Sequence, residues 1–221
     1  MCGRYGFTVE KEEDFLRRFE LENAEFALED NWNVAPTQEM PVIERHSPNS
    51  VHLRKWGIQP SWSPMYLINA KVEKLAGSRF WSKPFATSRV IVPASYFIEW
   101  QKCEDKTKQP YVIRLKSKEL FGFAGLLVSM KDAEGKEQDG YVIVTQPAGE
   151  FMGEIHHRQP AILRKEDEDV WLNPDTVESE TLVPLLDNFA YEAEMEKFPV
   201  SSLVNKPANN SPEILKPIAG A

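Results

Sequence analysis

Arg89-Val90-Ile91-Val92-Pro93-Ala94-Ser95-Tyr96-Phe97-Ile98-Glu99-Trp100-Gln101 is a β-branched run, a small-residue break and an aromatic run in thirteen residues. It reads as two strands, Arg89–Val92 and Tyr96–Gln101, joined by a turn. The same texture continues downstream in Tyr111–Leu115, Phe121–Val128 and Tyr141–Thr145, with charged hairpin loops at Glu104–Lys108 and Lys131–Asp139. Upstream, Phe15, Leu16 and Phe19 at helical spacing predict a helix over Val9–Phe19. Leu21–Asp30 is acidic and irregular, and Asn33–Thr37 is a turn leading into strands at Met40–Glu44 and His52–Trp56. Ile68–Ser78 is expected to be a helix or helical turn, as is Ala148–His156. Ala161–Leu163 is a further strand, Asp167–Leu172 and Thr181–Asp187 are helices, and coil follows Val200. The fold class is α+β: one domain over residues 2–221, an antiparallel sheet curled into a partial barrel with peripheral helices.

At 221 residues and 42% hydrophobic composition, the chain can bury a substantial core. No apolar run reaches membrane-spanning length, and the N-terminus lacks the zones of a secretory signal. Cys2 and Cys103 are the only cysteines and stand in no ligand-like spacing, so neither a disulfide framework nor a metal centre is expected, and no cofactor. A cytoplasmic protein that does not enter membranes follows as the expectation.

The net charge of −8 argues against a nucleic-acid partner until its distribution is read. Residues 45–89 hold eight Lys or Arg against the single acid Glu73, whereas 166–196 hold eleven acids and no Lys or Arg. Phosphate responds to the local field, so one basic face on an acidic protein suffices. Trp56, Trp62, Phe80 and Trp81 lie within that basic stretch. Trp56 and Trp81 suit the core, and Trp62, in a Pro/Ser loop, suits stacking on a base. The acidic stretch is expected to be a solvated helical face.

Four positions carry candidate chemistry. Cys2 follows the initiator methionine, whose removal is favoured by a small second residue. A terminal cysteine presents an amine and a thiol on adjacent carbons, so an aldehyde can be captured as an imine and closed into a thiazolidine. Glu99, inside the apolar run Tyr96–Trp100, is either an edge carboxylate facing water or a buried acid tuned for proton transfer. His156, beside His157 and Arg158, is either a plain loop histidine or a proton shuttle with a phosphate-binding neighbour. Asn69 is either a helix cap or a neutral donor and acceptor for a sugar hydroxyl.

Met1-Cys2-Gly3-Arg4-Tyr5, Asn33-Val34-Ala35-Pro36, Trp56-Gly57 with Pro60 and Trp62, Asn69-Ala70-Lys71-Val72-Glu73 with Ser78-Arg79, Phe97-Ile98-Glu99-Trp100, and Ile155-His156-His157-Arg158-Gln159-Pro160 stand in this order. The set resembles the SOS response-associated peptidase (SRAP) family, the abasic site processing proteins. The resemblance runs over residues 2–163, with a weaker echo at 200–217, and 164–221 would complete the domain. It implies a protein of the DNA damage response that senses abasic sites in single-stranded DNA. Such a protein crosslinks to the lesion through an N-terminal cysteine, with autoproteolytic and lyase activities also attached to the family. Carried over, Cys2, Asn69, Glu99 and His156 are catalytic, and Arg4, Trp62, Lys71, Arg79 and Arg158 contact DNA. Lys71 stands where many members have Arg, which keeps the charge and loses the bidentate geometry. The partner would be abasic single-stranded DNA, the chain a monomer, and its place the cytoplasm, at the nucleoid when bound. Two other readings compete: a thiol peptidase or amidohydrolase using Cys2, His156 and Glu99, and a non-covalent single-stranded DNA-binding module.

Overall fold

The run that opens at Arg89 forms strands, and the break at Ser95 is where the chain leaves one sheet for another. A computed structural model of the chain describes residues 2–45, 49–132, 134–186 and 190–218. Along the chain lie β1 (Tyr5–Phe7), α1 (Glu12–Arg18), β2 (Asn31–Val34), β3 (Glu39–Glu44), β4 (Ser50–Lys55), β5 (Asn69–Lys71), α2 (Ser82–Thr87), β6 (Arg89–Ala94), β7 (Tyr96–Lys102) and β8 (Lys108–Leu115). Then follow β9 (Phe121–Lys131), β10 (Glu137–Pro147), α3 (Glu150–Gly153), β11 (Arg158–Pro160), β12 (Ile162–Leu163), α4 (Glu168–Leu172), α5 (Ser179–Leu186) and β13 (Met195–Pro199).

Five strands form one sheet in the order β13-β8-β7-β1-β2. A second sheet of eight runs β11-β10-β9-β6-β3-β4, with β12 on β9 and β5 on β10. All these pairings are antiparallel except β5 with β10. The expected α+β class with antiparallel pairing holds. Neither sheet closes on itself, so the partial barrel is better described as two open sheets sharing a core. The β6–β7 junction explains this: β6 pairs with β3 and β9, whereas β7 pairs with β1 and β8.

Tyr96, Phe97 and Ile98 are all buried because both faces of the smaller sheet are covered. Phe97 and Ile113 turn into the main core with Tyr5, Trp56, Phe123 and Tyr141. Tyr96, Ile98 and Val112 turn the other way, under Val200, Val204 and Ile214 of the C-terminal segment. The two sheets are tied across the core by a hydrogen bond between the Tyr5 and Tyr141 hydroxyls at 2.7 Å. The Tyr96 ring lies over Gly6 so closely that a Cβ there would come within 2.0 Å of it.

Several expectations are corrected. Ile68–Ser78 is not chiefly helical: Asn69–Lys71 is a strand paired with Ile143–Thr145, and only Val72–Lys74 winds into a short 3-10 turn. Backbone pairing to a sheet edge overrides the local pattern here, so Asn69 is no helix cap. Arg158–Pro160 and Met195–Pro199 are strands that their polar or mixed composition concealed. The helix expected over Thr181–Asp187 is observed as Ser179–Leu186, and Asp187 lies outside the described residues. Nor is the acidic stretch simply solvated: Glu168 is buried and takes both ends of the Arg18 guanidinium at 2.7 and 2.9 Å.

Arg89, part of the basic stretch, is likewise internal. Its guanidinium donates to the carbonyls of Trp171, Phe85, Ala86, Asn173 and Thr176 at 2.5–2.8 Å, joining α2, α4 and the loop after α4. Arg89→Met would leave buried carbonyls without donors, each costing about 1–3 kcal/mol. A loss of about 3 kcal/mol is expected, seen as a lower denaturation midpoint in urea at unchanged slope.

Candidate functional site

β1 lies beside the first half of β7, with Tyr5 opposite Phe97 and the Ile98 amide donating to the Arg4 carbonyl at 3.0 Å. This delivers the start of the chain to the level of Glu99. Cys2 is fully buried, its thiol donating weakly to the Arg4 carbonyl at 3.8 Å. Burial pushes the thiol well above its ordinary pKa, and the nearby Glu99 charge adds to the effect. The thiol therefore keeps its proton at neutral pH and needs a base to release it.

Glu99 is 3% exposed on β7, and burial raises its carboxyl from 4.5 to about 7, with Lys108 among the charges opposing the rise. A carboxyl poised there can both take and return a proton near neutrality. Of the two readings left open by sequence, the buried acid is the one observed. Glu99 lines an open cavity of about 710 Å³, shared with Trp100, Gln101, Lys102, Lys108, Glu154, His156, His157 and Asn205. Cys2 is not on this wall but behind Glu99, in the core.

His156 enters the cavity from the turn after α3. Its Nδ1 lies 3.0 Å from the Arg158 amide, which donates to it, and its ring stacks on His157 at 4.3 Å. Burial lowers its pKa, and the charges of His157 and Lys102 act in the same direction. The imidazole is thus biased toward its neutral form.

Arg158 does not present itself to solvent. It is buried, grips the Glu73 carboxylate with two hydrogen bonds at 2.7 and 3.0 Å, and donates to the Thr145 carbonyl at 2.6 Å. The phosphate-binding expectation for Arg158 therefore gives way to an internal clamp. Glu73 follows β5, so the clamp ties the histidine turn to the Asn69–Lys71 strand. On that strand Asn69 donates to the Ile143 carbonyl at 3.4 Å, while its buried Oδ1 has no hydrogen-bond partner among the described residues. Asn69 thus holds an open acceptor, and Lys71 is exposed.

Arg4 is half-buried, and its Nη1 alone is engaged among the described residues. Its guanidinium donates to Asn33 Oδ1 at 2.8 Å and to the Val204 carbonyl at 3.0 Å, docking the C-terminal segment on β1 and β2. Asn33 completes that dock with hydrogen bonds to the carbonyls of Val204, Lys206 and Asn209. Trp62, 66% exposed, stands edge-on to Phe80, which in turn meets Trp81. Exposed Lys71, Lys74, Arg79 and Lys83 accompany this aromatic group, whereas Arg45 pairs with Asp169 and Arg54 with Glu44. Trp56, expected in the core, is fully buried, and Trp81 is half-buried.

Sequence reading missed Lys102, Lys108, Glu154 and Asn205 on the cavity wall and Glu73 as the partner of Arg158. The lysines flank a hairpin turn that was visible as a charged loop, so its register could have paired them. Asn205 carries no local signal at all.

A family described as SOS response associated peptidase (SRAP) matches residues 1–207. Abasic site processing protein YoqW of Bacillus subtilis is 38% identical, over 98% of this chain and 99% of that protein. YedK of Escherichia coli, of the same description, is 27% identical over 99% and 100% of the two chains. HMCES of Rattus norvegicus, also an abasic site processing protein, is 27% identical over 85% of this chain and 65% of its own. Among solved structures, a Bacteroides thetaiotaomicron protein superposes with a TM-score of 0.83 at 23% identity, covering 99% and 100%. That likeness bears on the fold.

Proposed function

This chain belongs to the SOS response-associated peptidase family, and from that premise we propose that it processes abasic sites in single-stranded DNA by covalent capture through Cys2. Removal of Met1 would free the Cys2 amine. The amine condenses with the C1′ aldehyde of the ring-opened sugar, releasing one water and forming an imine. The thiol then adds to the imine carbon, its proton moving to the nitrogen, and a thiazolidine results. In this scheme Glu99 takes the thiol proton and relays it, His156 assists sugar-ring opening, and Asn69 orients a sugar hydroxyl through its open Oδ1. Lys71, Arg79 and Trp62 hold the strand by charge and stacking. Arg4 and Arg158 serve from behind, one docking the C-terminal segment and the other clamping the histidine turn.

The observation that carries the reading is the electrostatic contact between a buried thiol and a buried carboxyl whose pKa is about 7. A thiol that cannot ionise alone, next to a base half-charged at neutral pH, suits aminothiol capture of an aldehyde. Three abasic site processing relatives at 27–38% identity support the same assignment.

Purified protein mixed with a single-stranded oligonucleotide bearing one abasic site is expected to give a heat-stable band on a denaturing gel. Its intact mass should equal protein lacking Met1 plus DNA, less one water. Absence of that species from protein confirmed to begin at Cys2 would overturn the proposal.

A further inference from the structure

The β7–β8 hairpin sets Lys102 directly opposite Lys108. Side chains so paired stand about 5 Å apart at the backbone, and like charges there repel. Neither lysine makes an ion pair with a described residue, and both are exposed on the wall of the cavity that holds Glu99 and His156. Asp105, at the turn, is taken by the Thr107 amide and hydroxyl at 2.9 and 2.6 Å. Glu154, on the same wall, is held by Lys197. A repelling pair of exposed cations on the wall of the cavity that holds Glu99 and His156 is a place for an external anion.

We propose that Lys102 and Lys108 form a phosphate subsite, seating a phosphodiester of the single strand beside the captured sugar. The proposal rests on the reading given above and extends the DNA path to the hairpin, outside the basic stretch 45–89. Two ammonium groups facing each other can straddle one phosphate as point charges and relieve their own repulsion in doing so.

The test uses non-covalent binding, so that it does not depend on crosslinking. A fluorescent single strand carrying tetrahydrofuran in place of the abasic sugar has no aldehyde and can only bind. The double variant Lys102→Gln/Lys108→Gln is expected to bind it about tenfold more weakly at physiological salt. The slope of log affinity against log salt should fall by about 0.7, the contribution of one single-strand phosphate contact. An unchanged salt slope would overturn the subsite. So would a shifted pH optimum of crosslinking at unchanged affinity, because the lysines would then act on Glu99 and His156 instead of on DNA. Weaker binding by the double variant with a shallower salt slope, together with no adduct from the parent protein, would leave the subsite standing and remove the capture chemistry.

Discussion

Cys2→Ala is expected to abolish the heat-stable DNA adduct, with at least a hundredfold loss of product on the denaturing gel. The reason is chemical. Alanine at position 2 still favours removal of Met1 and still offers an amine, so an imine with the lesion aldehyde can form. Without the thiol there is no second bond, and the imine hydrolyses on heating. Treatment with a hydride reductant should therefore rescue a band from Cys2→Ala by reducing the imine to a stable amine. Binding of the aldehyde-free oligonucleotide should stay within about twofold of the parent, because Cys2 is buried behind Glu99 and holds no phosphate. The substitution removes a single sulfur from the core, at a stability cost of about 1 kcal/mol. A full-strength heat-stable adduct from Cys2→Ala without reductant would refute capture by the thiol.

Glu99→Gln should slow adduct formation on the order of a hundredfold while leaving its end point reachable at long times. Glutamine matches the shape and cannot accept the thiol proton, which burial and the Glu99 charge together hold on Cys2. The parent rate should rise with pH as Glu99 ionises around its pKa of about 7, and the variant should lose that rise. Stability moves the other way. Folded Glu99 keeps its proton up to about pH 7, whereas unfolded it releases it near 4.5. The folded state thus binds more protons between those values, and stability falls as pH rises through this window, by about 3 kcal/mol in all. Glu99→Gln is expected to remove that fall and to melt higher than the parent at pH 8. A variant that reacts at the parent rate would show that Glu99 is not the base, and one that melts lower at pH 8 would show that it is not a strained buried acid.

How much was legible beforehand depended on the kind of signal. Strands of β-branched and aromatic residues, such as those at Arg89 and Tyr96, were readable because both faces of their sheets are buried and the runs are apolar throughout. Asn69–Lys71 was misread because its strand character comes from a partner 74 residues away, Ile143–Thr145, and not from its own side chains. Cys2, Glu99, His156 and Asn69 stood out in the sequence because their residue types do chemistry, and the structure places Glu99 and His156 on one cavity wall. The internal partners of Arg4 and Arg158, Asn33 and Glu73, were not legible because an arginine's partner is set by packing.

The sequence by itself determined the strand-rich class, the family, and the candidates Cys2, Glu99 and His156. Each of these is written in local runs and in the chemistry of single residues. Only the tertiary structure decided that Glu99 and Cys2 are both buried and close enough for their charges to interact, that the chain changes sheets at Ser95, and that the Lys102–Lys108 pair shares a cavity wall with His156. These depend on which distant segments meet, and on the water their meeting excludes. Burial of one carboxyl and repulsion between two ammonium groups arise only when packing brings them together.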